Sequence, residues 1–101
     1  MHSLIIGGGK IGYYLTKVLI EKGYDVSVVE KEKDACQKFA NDLNITVIKG
    51  DGTSVSVLEQ AGVADADSVI AVTGREEDNL VACQLAKRRY QVKKTIANVN
   101  N

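Results

Sequence analysis

Compact apolar runs alternate along the chain with stretches whose apolar residues recur every three or four positions. The runs are SLII (3–6), DVSVV (25–29), ITVIK (45–49), SVIAVT (68–73) and TIANV (95–99), rich in the β-branched residues that fill buried strands. Between them Ile11, Leu15, Val18 and Leu19 predict one face of a helix, Cys36, Phe39, Ala40 and Leu43 a second, and Leu80, Cys83 and Ala86 a third. Gly23 and Gly62 stand where helices end, and Asp78 and Asn79 where one begins. Lys87, Arg88 and Arg89 occupy a last turn, where cations complement the helix dipole. Strand, helix, strand repeated four times predicts an α/β domain: a parallel sheet with right-handed crossovers and helices on both faces.

Length adds that all of residues 1–101 form a single domain, large enough for one core without disulfides or metals. Thirteen basic residues balance thirteen acidic ones, so no overall field favours nucleic acid, and KRRYQVKK (87–94) begins as a helix end. Two distant cysteines, Cys36 and Cys83, and one histidine, His2, indicate neither a disulfide framework nor a metal site; both cysteines are expected as small core residues. No run is long enough for a signal peptide core or a membrane span, and a cytoplasmic location is expected.

The chemistry-bearing stretch is GGGKIG, residues 7–12. Gly7, Gly9 and Gly12 match GxGxxG directly after a predicted strand and at the start of a predicted helix. There Gly7 permits the tight turn, Gly9 lets the backbone approach a pyrophosphate, and Gly12 lets the helix lie close on the strand, with the helix amides offered to phosphate. The candidate contacts of the turn are Gly7, Gly8, Gly9, Lys10, Ile11 and Gly12, with Lys10 readable as a phosphate partner or as a solvated side chain. Glu30 ends the second strand 23 residues beyond Gly7, where a carboxylate accepts from both ribose hydroxyls of an adenosine and repels a 2′-phosphate. This favours NAD over NADP, an inference that the neighbouring Lys31 softens. No catalytic constellation is visible; His2 precedes the first strand, at the far end of the sheet from such a crevice, and a non-enzyme is expected.

Residues 49–88 add a resemblance. Gly50-Asp51-Gly52-Thr53 after the third strand, Ala64-Asp65-Ala66-Asp67 before the fourth, and Thr73-Gly74 with Glu76 and Asn79 after it resemble the TrkA amino-terminal (RCK or KTN) nucleotide-binding domain. With the glycine turn and Glu30 the resemblance spans nearly the whole chain. It implies a Rossmann-type doubly wound sheet of five strands, order 3-2-1-4-5. It also implies a regulatory domain that binds NAD(H) or an adenine nucleotide (AMP, ADP or ATP) without consuming it and controls potassium transport.

On that resemblance Asp51 and Gly52 lie beside the adenine, while Thr73, Gly74 and Arg75 approach the phosphates or the far end of the ligand. Asp51 has a second reading as a cap of the following helix and Arg75 as a solvated cation, and Asn79 is expected to start the fourth helix. The implied partners are a membrane potassium channel or transporter subunit and further copies of this chain, at the inner face of the membrane. The family's domain continues into a sixth strand, a crossover helix and often a second lobe, whereas this sequence ends at Asn101 after the fifth strand. The fifth strand is then an open sheet edge, which predicts self-association. The alternative reading is the cofactor-binding half of a small NAD-dependent oxidoreductase.

Overall fold

The computed structural model describes residues 1–99, and residues 100 and 101 of the expected single domain lie outside that range. The elements are β1 (His2–Ile6), α1 (Lys10–Glu21), β2 (Asp25–Glu30), α2 (Lys33–Asp42), β3 (Thr46–Lys49), α3 (Val55–Gln60), a 3₁₀ turn at Val63–Asp65, β4 (Ser68–Ala71), α4 (Glu76–Tyr90) and β5 (Lys94–Ala97). All strand pairs are parallel, in the expected order 3-2-1-4-5.

Alternation of side chains along the central strands makes two cores, one on each sheet face. Leu4 and Ile6 of β1 pack with Val69 and Ala71 of β4 against Leu58, Ala82, Cys83 and Ala86 from α3 and α4. Ile5 packs with Val26 and Val28 of β2 against Phe39 of α2 and against Tyr13, Leu19 and Ile20 of α1. Gly23 ends α1 at a φ of 87°, its amide donating to the Ile20 carbonyl at 2.9 Å and the next amide, Tyr24, to Leu19 at 3.0 Å. Gly62 takes a φ of 85° after α3, and Lys87, Arg88 and Arg89 fill the last turn of α4.

Several boundaries and faces differ from the sequence pattern. β4 stops at Ala71 rather than Thr73, because its partner β1 ends at Ile6 before the glycine turn; the Val72 amide still donates to the Ile6 carbonyl at 2.8 Å. His2 opens β1 instead of preceding it, and still lies at the opposite end from the glycine turn, 3.3 Å from the Ser27 hydroxyl. On α1 the fully buried positions are Gly12 and Thr16, while Ile11 is 56% exposed. The helix lies so close to the sheet that only small residues fit beneath it, and the larger apolar side chains flank that line. On α2 Phe39 is buried but Ala40 is exposed and Cys36 is half-buried. On α4 the sheet-facing line is Asn79, Ala82, Cys83 and Ala86, leaving Leu80 exposed.

Candidate functional site

The carboxyl ends of β1, β2, β3 and β4 open on one crevice of about 290 Å³, the place where ligands enter open parallel sheets. Ten of the thirteen residues singled out from the sequence line it: Gly7, Gly8, Gly9, Glu30, Lys31, Asp51, Gly52, Thr73, Gly74 and Arg75. Lys10, Ile11 and Gly12 do not. Lys10 and Ile11 point their side chains to solvent on the first turn of α1, and Gly12 lies beneath the turn, against Gly7.

The turn is built by close approach. Gly7 has a φ of 113°, and its amide continues the ladder by donating to the Val29 carbonyl at 2.9 Å. A Cβ on Gly12 would come within 1.9 Å of the Gly7 carbonyl oxygen, so α1 can start here only with glycine at that position. Gly9 caps α1 without a side-chain partner, and the first turn carries no acidic residue. The first amides of a helix have no intrahelical acceptors, so this end carries the positive pole of the helix dipole beside the crevice.

Glu30 is held at the end of β2. One carboxylate oxygen accepts from the Gly8 amide and the other from the Glu32 amide at 2.7 Å. A carboxylate has about four acceptor positions, so two backbone donors fix its direction and leave acceptor capacity for other donors. Across the crevice Asp51 accepts from the Thr53 amide at 2.9 Å and the Thr53 hydroxyl at 2.8 Å. Those two bonds, helped by the charges of Lys31 and Arg75, hold its carboxyl below the ordinary aspartate value against a small opposing effect of burial. Asp51 therefore shapes its own loop and does not cap α3; Ser54 is the cap, receiving the Val57 amide.

Arg75 precedes α4 and is ion-paired on its own helix, with Asp78 at 3.2 Å and Glu77 at 3.9 Å. Lys31 reaches the same Asp78 at 3.7 Å, so one carboxylate spans the crevice mouth from β2 to α4. Asp78 was expected only as a helix-start residue, and nothing in its spacing marks it as part of the crevice lining.

Asn79 is the larger correction. The helix starts at Glu76, and Asn79 sits fully buried one turn inside it. Its side-chain oxygen accepts from the Thr73 amide at 2.9 Å and the Thr73 hydroxyl at 2.6 Å. Its side-chain nitrogen donates to the Thr73 carbonyl at 3.2 Å and the Asn98 carbonyl at 2.9 Å. One amide thus ties the Thr73 loop of the crevice to the end of β5. The cysteines take no part in the lining: Cys83 is buried, Cys36 is half-buried with its thiol on the Glu30 carbonyl at 3.3 Å, and burial pushes both thiols up.

A parallel 3-2-1-4-5 sheet with a glycine turn after β1 and an acidic end to β2 defines a Rossmann-type domain. The family model of the TrkA-N domain matches residues 3–101, and the chain belongs to that family. A Trk system potassium uptake protein TrkA homolog from Methanothermobacter thermautotrophicus is 42% identical over 101 residues, which is 100% of this chain and 46% of that protein. The chain thus spans less than half the length of this relative. Among solved structures, the TrkA-N domain of inner membrane protein ybaL from Escherichia coli matches with a TM-score of 0.84 at 15% identity, over 93% of this chain and 69% of that one. The Shewanella denitrificans Kef CTD in AMP-bound form matches with a TM-score of 0.79 at 23% identity, over 94% and 57%. These two likenesses concern the fold.

Proposed function

We propose that this chain is a sensing domain that binds NAD(H) or an adenine nucleotide in the crevice and biases a potassium transport system without consuming the ligand. The observation that carries the reading is Glu30, aimed by two backbone amides at the end of β2 beside a glycine turn that leads into a helix start. In this reading Glu30 takes the ribose hydroxyls, with Lys31 beside it, and Asp51 and Gly52 flank the adenine. Gly7, Gly8, Gly9 and the backbone at Lys10, Ile11 and Gly12 face the phosphates, and Thr73, Gly74 and Arg75 the far end of the ligand. The relative named as a potassium uptake protein supports a membrane transporter subunit as partner, with this domain peripheral at the inner face of the membrane. Among the described residues no helix is long and apolar enough to cross a membrane.

The mechanism is differential affinity: a nucleotide that prefers one arrangement of an assembly shifts the population toward it, and one with equal affinity shifts nothing. The assembly proposed is a homo-oligomer formed at the β5 edge or the adjacent helical face; Ile96 on β5 and Val99 just beyond it are 49% and 45% exposed, and the outer backbone of the strand has no partner strand among the described residues. Sedimentation equilibrium at micromolar concentration, with and without NAD(H), tests both parts. Self-association whose extent changes with NAD(H) is expected. A clean monomer unaffected by nucleotide contradicts the reading, and turnover of NADH with a carbonyl compound would replace it with the oxidoreductase alternative.

A further inference from the structure

The charged side chains of the crevice lining do not balance. Glu30, Glu32, Asp51 and Asp78 face two cations, Lys31 and Arg75, a formal balance of −2 in a chain whose net charge is zero. Both cations are already engaged by carboxylate, and the shared partner is Asp78, at 3.7 Å from Lys31 and 3.2 Å from Arg75. The Asp78 side chain is 22% exposed, which limits how much solvent screens it, whereas Lys31 and Arg75 are 50% and 64% exposed. With the Gly7 amide bonded to Val29 and the Gly8 amide to Glu30, the uncommitted donors are the amides from Gly9 into the first turn of α1. They suit one phosphate or a pyrophosphate, whose charge they match, and add nothing for a longer polyphosphate.

We propose that Asp78 is a specificity-determining residue that selects against highly charged nucleotides, so that the crevice takes a dinucleotide or nucleoside monophosphate in preference to a triphosphate. The inference rests on the nucleotide-sensing reading and narrows its ligand. Each phosphate after the first adds about one negative charge. To gain Lys31 or Arg75 as a partner that charge must displace Asp78 from that cation, and Asp78 then remains beside it as a like charge. Replacing Asp78 by asparagine removes the competitor and the repulsion together, frees Lys31, and leaves Arg75 only its longer, exposed pairing with Glu77 at 3.9 Å. Replacing it by glutamate keeps the charge.

The test is calorimetric titration of the wild type, Asp78→Asn and Asp78→Glu with AMP, ADP, ATP and NAD+, at fixed ionic strength in EDTA so that no divalent cation shields the phosphates. In the wild type, affinity is expected to fall from AMP to ATP. In Asp78→Asn the slope should reverse or flatten, the variant gaining about threefold to tenfold for each added negative charge, a Coulomb interaction at intermediate distance and dielectric. Asp78→Glu should keep the wild-type order. Equal changes for AMP and ATP, or an unaltered slope in Asp78→Asn, overturns the selectivity inference while leaving nucleotide binding intact. Absence of binding by all four ligands to all three proteins overturns the sensing reading as well.

Discussion

Replacing Gly12 with alanine is expected to lower the thermal midpoint by roughly 12–24 °C, the shift that a loss of about 3 kcal/mol produces in a domain of this size. Alanine is the better helix former by about 1 kcal/mol, so propensity alone predicts a gain. Sterics oppose it decisively. The added Cβ would meet the Gly7 carbonyl oxygen at 1.9 Å, and that oxygen belongs to backbone pinned by the Gly7 amide bond to Val29, with no flexible side chain to swing aside. Relief requires α1 to lift from the sheet, losing contacts of Leu19 and Ile20 with the Ile5 and Phe39 core and accruing the overpacking penalty of about 1–3 kcal/mol or more. The check is a melting curve followed by circular dichroism; a midpoint within about 3 °C of the wild type, below the shift from a single kcal/mol, contradicts the geometry of the turn.

Asn79→Ala is expected to cost about 3 kcal/mol or more, although it removes only a small polar side chain. Each buried donor or acceptor left unpaired costs about 1–3 kcal/mol. Here the Thr73 amide, the Thr73 carbonyl and the Asn98 carbonyl all lose their side-chain partner at a residue with no solvent exposure. Leu80→Ala, one position along the helix, is the contrast. Leu80 is 46% exposed, so its truncation should cost about 1 kcal/mol or less, below the range for buried leucines. Chemical denaturation of both variants decides it, and a larger loss for Leu80→Ala would reverse the assigned face of α4.

That contrast also marks where the sequence stops being informative. The five strands, the glycine turn and Glu30 are legible because each follows from local rules: β-branched runs, GxGxxG at a strand-to-helix junction, an acid at the next strand end; the strand order came with the family resemblance. Helix faces were less so. Ile11, Ala40 and Leu80 fit apolar periodicity yet are exposed, while Gly12, Thr16 and Asn79 occupy the sheet-facing line. Periodicity ranks positions by hydrophobicity, but a helix laid on a glycine turn selects first for size, and a loop that must be held selects for hydrogen-bonding shape. Asn79 reads as a helix-start residue because asparagine usually caps; its actual bonds reach Thr73 and Asn98, and the pairing with Asn98, 19 residues away, is set by tertiary structure. Asp78 was equally hidden, since its partner Lys31 lies on another strand end.

The central claim is that the crevice takes an adenine nucleotide or dinucleotide, and the thermal midpoint of the purified chain measures it most directly. A ligand that binds only the folded state at a hundred times its dissociation constant stabilises it by about 2.7 kcal/mol. For a domain of this size that corresponds to a rise of roughly 10–20 °C. With NAD+ and NADH the midpoint should rise by such an amount, and with NADP+ by less, because on the proposed placement of the ribose at Glu30 a 2′-phosphate would be repelled by that carboxylate. A midpoint unmoved by millimolar NAD+, NADH, AMP, ADP and ATP alike would contradict the account.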